Sequence, residues 1–294
     1  MNIHSYLVFL LFFATGCAQL PFGSKGVELG IKFTQSPTFA QVNAERKDET
    51  VINGTPVKRS DYPEVLLIKG SGGCTASLIG PRAVLTAAHC VDNGKKITFT
   101  TLDSQNYTAI CEHHPDYDSD DHDMALCDTN RDITNIKPVQ VVTEREATKG
   151  QRVQILGFGC TQPGGSGGND GILRTGYSVI TAGQGRDLVL ETPGGAALCF
   201  GDSGGPIYTE DGRQIAVNSK GNIKDKSWVS RTDRWAVDWM KSWGERWNAP
   251  ICGINISCDS TPDPDPIPDP EPQPKSCKPF SIDTGVMDIK GDCK

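Results

Sequence analysis

From Val51 onward the chain breaks into short apolar or alternating runs, each bounded by Gly, Asn, Asp or Pro. Val65–Ile68, Ala76–Ile79, Lys96–Thr100 and Tyr107–Ile110 read as strands, as do Arg152–Leu156, Tyr177–Ile180, Leu188–Leu190 and Gln214–Val217. β-Branched and aromatic side chains favour extended backbone, and turn residues end each run after a few positions. Regularly spaced short strands with no helices between them indicate a β-sandwich or β-barrels. A helical pattern comes late. Trp235, Trp239, Met240 and Trp243 recur every three or four residues within Thr232–Trp247, which gathers them on one helix face. That stripe is read as a packed helix rather than a carbohydrate platform.

Outside this region the pattern changes. Tyr6–Thr15 is an apolar run too short to span a bilayer and suited to the core of a secretory signal. Residues 1–17 are therefore assigned to a signal peptide, and the polar, weakly patterned residues 18–50 to a propeptide. A body over 51–248 is followed by an extension at 249–258, closed by Cys252 and Cys258. Next comes a linker, 259–276, in which Pro alternates with five acidic residues and one lysine, a composition that stays extended and solvated. The tail at 277–294 is the size of a disulfide-closed loop. Residues 162–171 are glycine-rich and read as a surface loop.

Candidate chemistry centres on Gly201-Asp202-Ser203-Gly204-Gly205-Pro206. A serine hydroxyl is a weak nucleophile that needs a base and oxyanion donors. Taken alone, the run is also ordinary loop composition. Two other segments supply partners: Thr86-Ala87-Ala88-His89-Cys90 after the apolar Ala83–Leu85, and Asp123-Met124-Ala125-Leu126. With Val51-Ile52-Asn53-Gly54-Thr55, these motifs ("LTAAHC", "DMAL", "GDSGGP") stand in the order of the chymotrypsin-like serine proteases, which the chain resembles over roughly residues 51 to 248. The resemblance implies an all-β fold of two six-stranded Greek-key barrels with a C-terminal helix and a site in the cleft between them. His89 would be the base, Asp123 its orienting partner and Ser203 the nucleophile of an acyl-enzyme pathway. The backbone N–H groups of Gly201 and Ser203 would bind the oxyanion. Asp116, Asp118, Asp120 and Asp121 rival Asp123, which is preferred because Met124–Leu126 would bury its strand. The family also implies a zymogen in which cleavage before Val51 frees an α-ammonium group that pairs with Asp202.

Composition narrows the partners. A net charge of −7 argues against nucleic acid and against electrostatic attraction to anionic lipid. Protein or peptide substrates and a monomer are expected, with no cofactor. Eleven cysteines is an odd number. Ala14-Thr15-Gly16-Cys17 resembles a bacterial lipobox, in which Cys17 is lipidated and anchors the precursor to a membrane. The alternative is a plain signal peptide cleaved near Ala18. Setting Cys17 aside leaves ten cysteines and five expected bridges. The family implies Cys74–Cys90. Proximity and fold position suggest Cys111–Cys127, Cys160–Cys199, Cys252–Cys258 and Cys277–Cys293. No C-x-x-C pair occurs, so a zinc site is not expected, and the acidic run at 116–121 is read as a solvated loop rather than a calcium site.

Specificity departs from the tryptic pattern. Ala197 stands six residues before Ser203, where trypsin-like enzymes carry a carboxylate, and the apolar Leu198 follows it. Aligned back from the helix at Trp239, the family resemblance places Trp228 near a pocket-wall position often occupied by glycine, which implies a shallow pocket and cleavage after small or medium neutral residues. Val217–Gly221 departs from the family's "SWG" strand. Two other functions compete: a non-catalytic surface-binding lipoprotein on the same fold, and hydrolysis of esters by the same residues.

Overall fold

A computed structural model describes residues 51–70, 73–119, 121–143 and 147–258, with the side chain of Gln184 excepted. The signal and propeptide segments, Cys17, Asp120, the acidic linker and the Cys277–Cys293 tail lie outside the described residues.

The first barrel closes through six antiparallel strands in the order β2-β3-β4-β7-β6-β5. These are β2 (Val65–Lys69), β3 (Cys74–Leu78), β4 (Ala83–Thr86), β5 (Lys96–Thr100), β6 (Asn106–His113) and β7 (Ala125–Asp128). In β5 and β6 every second residue turns inward: Ile97, Phe99, Tyr107, Ala109 and Cys111 are buried between exposed or half-exposed neighbours. This period of two is the pleat itself. Strands β3, β4 and β7 are buried along their whole length. Their outer faces are covered, so alternation does not mark them.

The second barrel repeats the same connectivity with β8 (Arg152–Gly157), β9 (Arg174–Gln184), β10 (Asp187–Glu191), β11 (Pro206–Tyr208), β12 (Gln214–Gly221) and β13 (Lys226–Arg231). Pairing of β8 with both β9 and β11 closes it. A short β1 (Thr55–Pro56) adds to β9 at its edge. The register between β12 and β13 shifts between Asn218 and Lys220, so Ser219 sits at a bulge. Bulges bend a strand and re-aim side chains, and this one lies at the site.

The helix α1 (Trp235–Trp247) buries Ala236, Met240, Trp243 and Gly244, which share one face. That face packs into the core of the first barrel, alongside Ala249 and Ile251. Asn248 ends the helix in the left-handed conformation (φ 48°), its N–H returning to carbonyls of the last turn. The extension continues this packing: Cys252 N donates to Ile79 O at 2.8 Å, and Cys252 is bonded to Cys258. Cys74–Cys90, Cys111–Cys127 and Cys160–Cys199 are also joined. No helix among the described residues is long and apolar enough to cross a membrane.

Candidate active site

Each barrel carries its part of the site on the ends of strands and the turns beyond them. His89 sits in a short 3₁₀ turn, Ala88–Cys90, directly after β4, with Cys90 anchored to Cys74 of β3. Asp123 immediately precedes the fully buried Met124, which leads into β7. His89 Nδ1 lies 2.7 Å from Asp123 Oδ2, and the His89 backbone N–H donates to Oδ1 at 3.0 Å. An ionised carboxylate only accepts, so Nδ1 carries the ring proton and Nε2 is left as the basic nitrogen. Burial would raise the Asp123 carboxyl, but hydrogen bonds from His89, its charge and a hydrogen bond from Ser219 hold it below the ordinary value. The described rival acids, Asp116, Asp118 and Asp121, do not share this position. Asp121 and Asp116 approach His122 instead, and Asp118 accepts from the Asp121 backbone.

Ser203 comes from the turn before β11 and faces the same cleft as His89 and Asp123. Its Oγ lies 3.5 Å from the carbonyl of Ser219. The turn is held from both barrels. Thr75 N donates to Ser203 O at 2.8 Å, and Thr75 Oγ1 donates to Gly201 O at 2.8 Å. Gly201 has φ +100°, a conformation that glycine enters freely, and a Cβ there would approach Gly159 Cα at 2.9 Å. Asp202 is fully buried, accepting from Gly159 N at 2.8 Å and Cys199 N at 2.9 Å. Burial pushes its carboxyl up to about 7, against the lowering effect of those two hydrogen bonds.

The cleft is about 440 Å³. Its wall includes Leu198, Cys199, Phe200, Gly221 and Ile223, with Tyr117 and Ser119 toward the first barrel. Ala197 is fully buried, is not among the residues lining the described cleft, and bridges Ile52 across an antiparallel pair. Trp228 does not line the cleft. It pairs with Lys220 across the bulged ladder and carries Lys226 over its ring at 5.8 Å. Its neighbour Ser227 pairs with Gly221, is fully buried and accepts from Leu198 N at 2.9 Å. Neither Ser227 nor Trp228 is among the residues lining the described cleft, so the structure does not bring Trp228 to the pocket wall.

Ser219 is a site residue that the sequence reading passed over. From its bulge it donates to Asp123 Oδ2 at 2.6 Å, joining the second barrel to the first. Its sequence signal was its place in Val217–Gly221, already noted as a departing strand. Asn218, one position earlier, donates from Nδ2 to both Leu156 O and Asp202 O at 3.0 Å. A separate cluster lies beside Asp123. His114 and His122 stack with centroids 4.7 Å apart against the edges of Trp235 and Trp239. Burial, then the neighbouring His122, lowers His114 to about 4. The Arg186 guanidinium contacts His122, so a metal ion here would meet a resident cation.

The family model described as Trypsin matches residues 51–230. The chain belongs to the trypsin family. It is 27% identical over 244 residues to a chymotrypsin of Phaedon cochleariae, covering 68% of this chain and 83% of that protein. It is 29% identical over 203 residues to a trypsin-like protease of Streptomyces glaucescens, covering 59% and 73% of the two chains. Among solved structures, neuropsin, a serine protease expressed in the limbic system of mouse brain, superposes with a TM-score of 0.57 at 23% identity. That match covers 65% of this chain and 99% of neuropsin, and speaks for the fold. The trypsin-family protein is a serine-type endopeptidase with two antiparallel barrels.

Proposed function

We propose that this endopeptidase cleaves peptide bonds through Ser203 as nucleophile, His89 as general base and acid, and Asp123 as the group that orients His89. The observation carrying this reading is the His89–Asp123–Ser219 hydrogen-bond chain opening into the cleft that holds Ser203. Nε2 of His89 takes the hydroxyl proton as Ser203 attacks, and later returns it to the leaving amine. The N–H groups of Gly201 and Ser203 stabilise the tetrahedral oxyanion, an effect worth roughly 3–4 kcal/mol per donor.

Activation by cleavage before Val51 has physical support at both ends of the switch. Val51 is fully buried in the apolar core cluster of the second barrel, with φ +51°, a costly torsion for a β-branched residue. Cutting the bond before Val51 removes the preceding carbonyl and with it that strain. The same cut creates an α-ammonium group that can pair with the buried Asp202 carboxylate. An unpaired buried charge is expensive, so the pair favours the ordered oxyanion turn.

The primary substrate side chain is neutral. Asp123 is the carboxylate on the described cleft wall and is committed to His89, so a cationic side chain finds no counter-charge. Thr50 fits this preference, and the enzyme can therefore process its own precursor. The precursor is secreted and held through a lipidated Cys17, and cleavage before Val51 releases the protease domain. Mature enzyme found on membranes after that cut would contradict the release.

The decisive experiment exposes the chain from residue 18 to a fluorophosphonate probe before and after cleavage at Val51, followed by a peptide-library profile. Ser203 should be labelled in the cleaved form and S203A should not. Absence of labelling in correctly cleaved protein removes the proposed mechanism, and preferred cleavage after Arg or Lys removes the neutral-pocket assignment.

A further inference from the structure

The Cys160–Cys199 bridge joins two segments that flank the oxyanion-binding turn, Gly157–Cys160 from the end of β8 and Cys199–Ser203. The bridge is one of several ties between them. Gly159 N donates to Asp202 Oδ1 at 2.8 Å, and Cys160 N donates to Phe200 O at 2.8 Å. Glycine at 159 lets the chains touch, since a Cβ there would meet the Asp202 carboxyl at 2.6 Å.

The Cys160–Phe200 hydrogen bond sets a direction. A trans peptide points its C=O and its N–H opposite ways. With Phe200 O turned to Cys160, the N–H of Gly201 in that peptide faces away from Cys160. The next donor is held in the same manner. Asp202 O accepts from Gly205 N and Asn218 Nδ2, both at 3.0 Å, which turns the Ser203 N–H to the opposite side. Flipping the Phe200–Gly201 peptide would break the Cys160 hydrogen bond, and the disulfide keeps Cys160 in place to reform it. Residues 162–168 also cross to the far wall, where Gly164 N donates to Ile223 O at 3.1 Å.

On the reading that Gly201 and Ser203 bind the oxyanion, we propose that the Cys160–Cys199 bridge is a positioning element for that hole. It holds the Phe200–Gly201 peptide in its donating orientation and restricts the disorder open to the turn before cleavage. A cross-link acts by removing conformations from the less ordered state, and here that state is the loosened turn of a folded precursor.

The test compares two double variants of the cleaved enzyme, C160A/C199A and C111A/C127A. The second removes the bridge between β6 and β7 in the first barrel. For C160A/C199A we expect kcat to fall tenfold or more with KM changed by less than threefold. Affinity for a peptide aldehyde, which forms an oxyanion on Ser203, should fall in parallel with kcat/KM. C111A/C127A should lose thermal stability while keeping kcat and aldehyde affinity. The uncleaved C160A/C199A chain should also react with fluorophosphonate more slowly than the uncleaved parent. Unchanged kcat and aldehyde affinity in folded C160A/C199A, or equal losses in both variants, overturns the proposal. If C160A/C199A does not fold, the parent enzyme is partially reduced and alkylated, with mass spectrometry reporting which bridge opened. Full kcat in molecules open at Cys160–Cys199 then overturns it. A parent enzyme that fails to label with fluorophosphonate would instead refute the nucleophile assignment, so the two failures are separable.

Discussion

At the scale of single residues, the site depends on small groups placed where they can accept or donate without competition. Ser219 illustrates this. Its hydroxyl gives Asp123 a third donor beside the backbone and ring of His89, and it reaches across from the other barrel. A hydrogen bond to a charged group contributes roughly 1.5–3 kcal/mol. S219A should therefore lower kcat/KM by about tenfold or more in steady-state assays on a peptide substrate. Trp228 teaches the opposite lesson. Counting back from Trp239 put it on the pocket wall, yet it is absent from the described cleft lining and lies half-buried beneath Lys226, while the buried Ser227 accepts from Leu198 N.

At the scale of elements, strands β5 and β6 and helix α1 were legible because one face meets the core and the other meets water. Strands β4, β7, β11 and β13 were less so. β4, β7 and β11 are buried throughout, which erases the alternation that marks a strand, and β13 alternates only over Lys226–Val229 before it runs buried to its end. The helix is the clearest case of pattern turning into packing. Trp243 has no exposed surface and sits with Met240 in the first barrel's core, although α1 follows the last strand of the second. Replacing a buried tryptophan by alanine costs about 3–5 kcal/mol. W243A should lower the melting temperature by roughly 10 °C, read by calorimetry.

At the scale of the whole molecule, the proposed cleavage before Val51 would connect a new chain terminus to the centre of the site through Asp202. This has a signature in pH-dependent stability. An unfolded aspartate releases its proton near pH 4, while burial holds that of Asp202 to about 7 in the uncleaved fold. Between these values the folded chain binds the extra proton, so the Asp202 contribution to stability falls as pH rises through the window. The S203A precursor should thus lose stability between pH 4 and 7 relative to S203A/D202N, as followed by denaturant titration. If cleavage before Val51 frees an ammonium group that pairs with this carboxylate, as proposed, the loss should vanish in the cleaved protein. Persistence of the loss in the cleaved protein would argue against that pairing.

The sequence by itself determined the strand-rich character, the family, the order His89, Asp123, Ser203 and the helical tryptophan stripe. These are local or ordered along the chain: periodicity records which face is buried, and motif order survives without coordinates. The tertiary structure alone decided that Ser219 reaches Asp123, that Ser227 rather than Trp228 faces Leu198, and that Cys160 holds the carbonyl beside Gly201. Each depends on a bulge, a register or a contact between segments far apart in sequence. A one-residue shift reverses the facing of a strand, and composition carries no record of that shift.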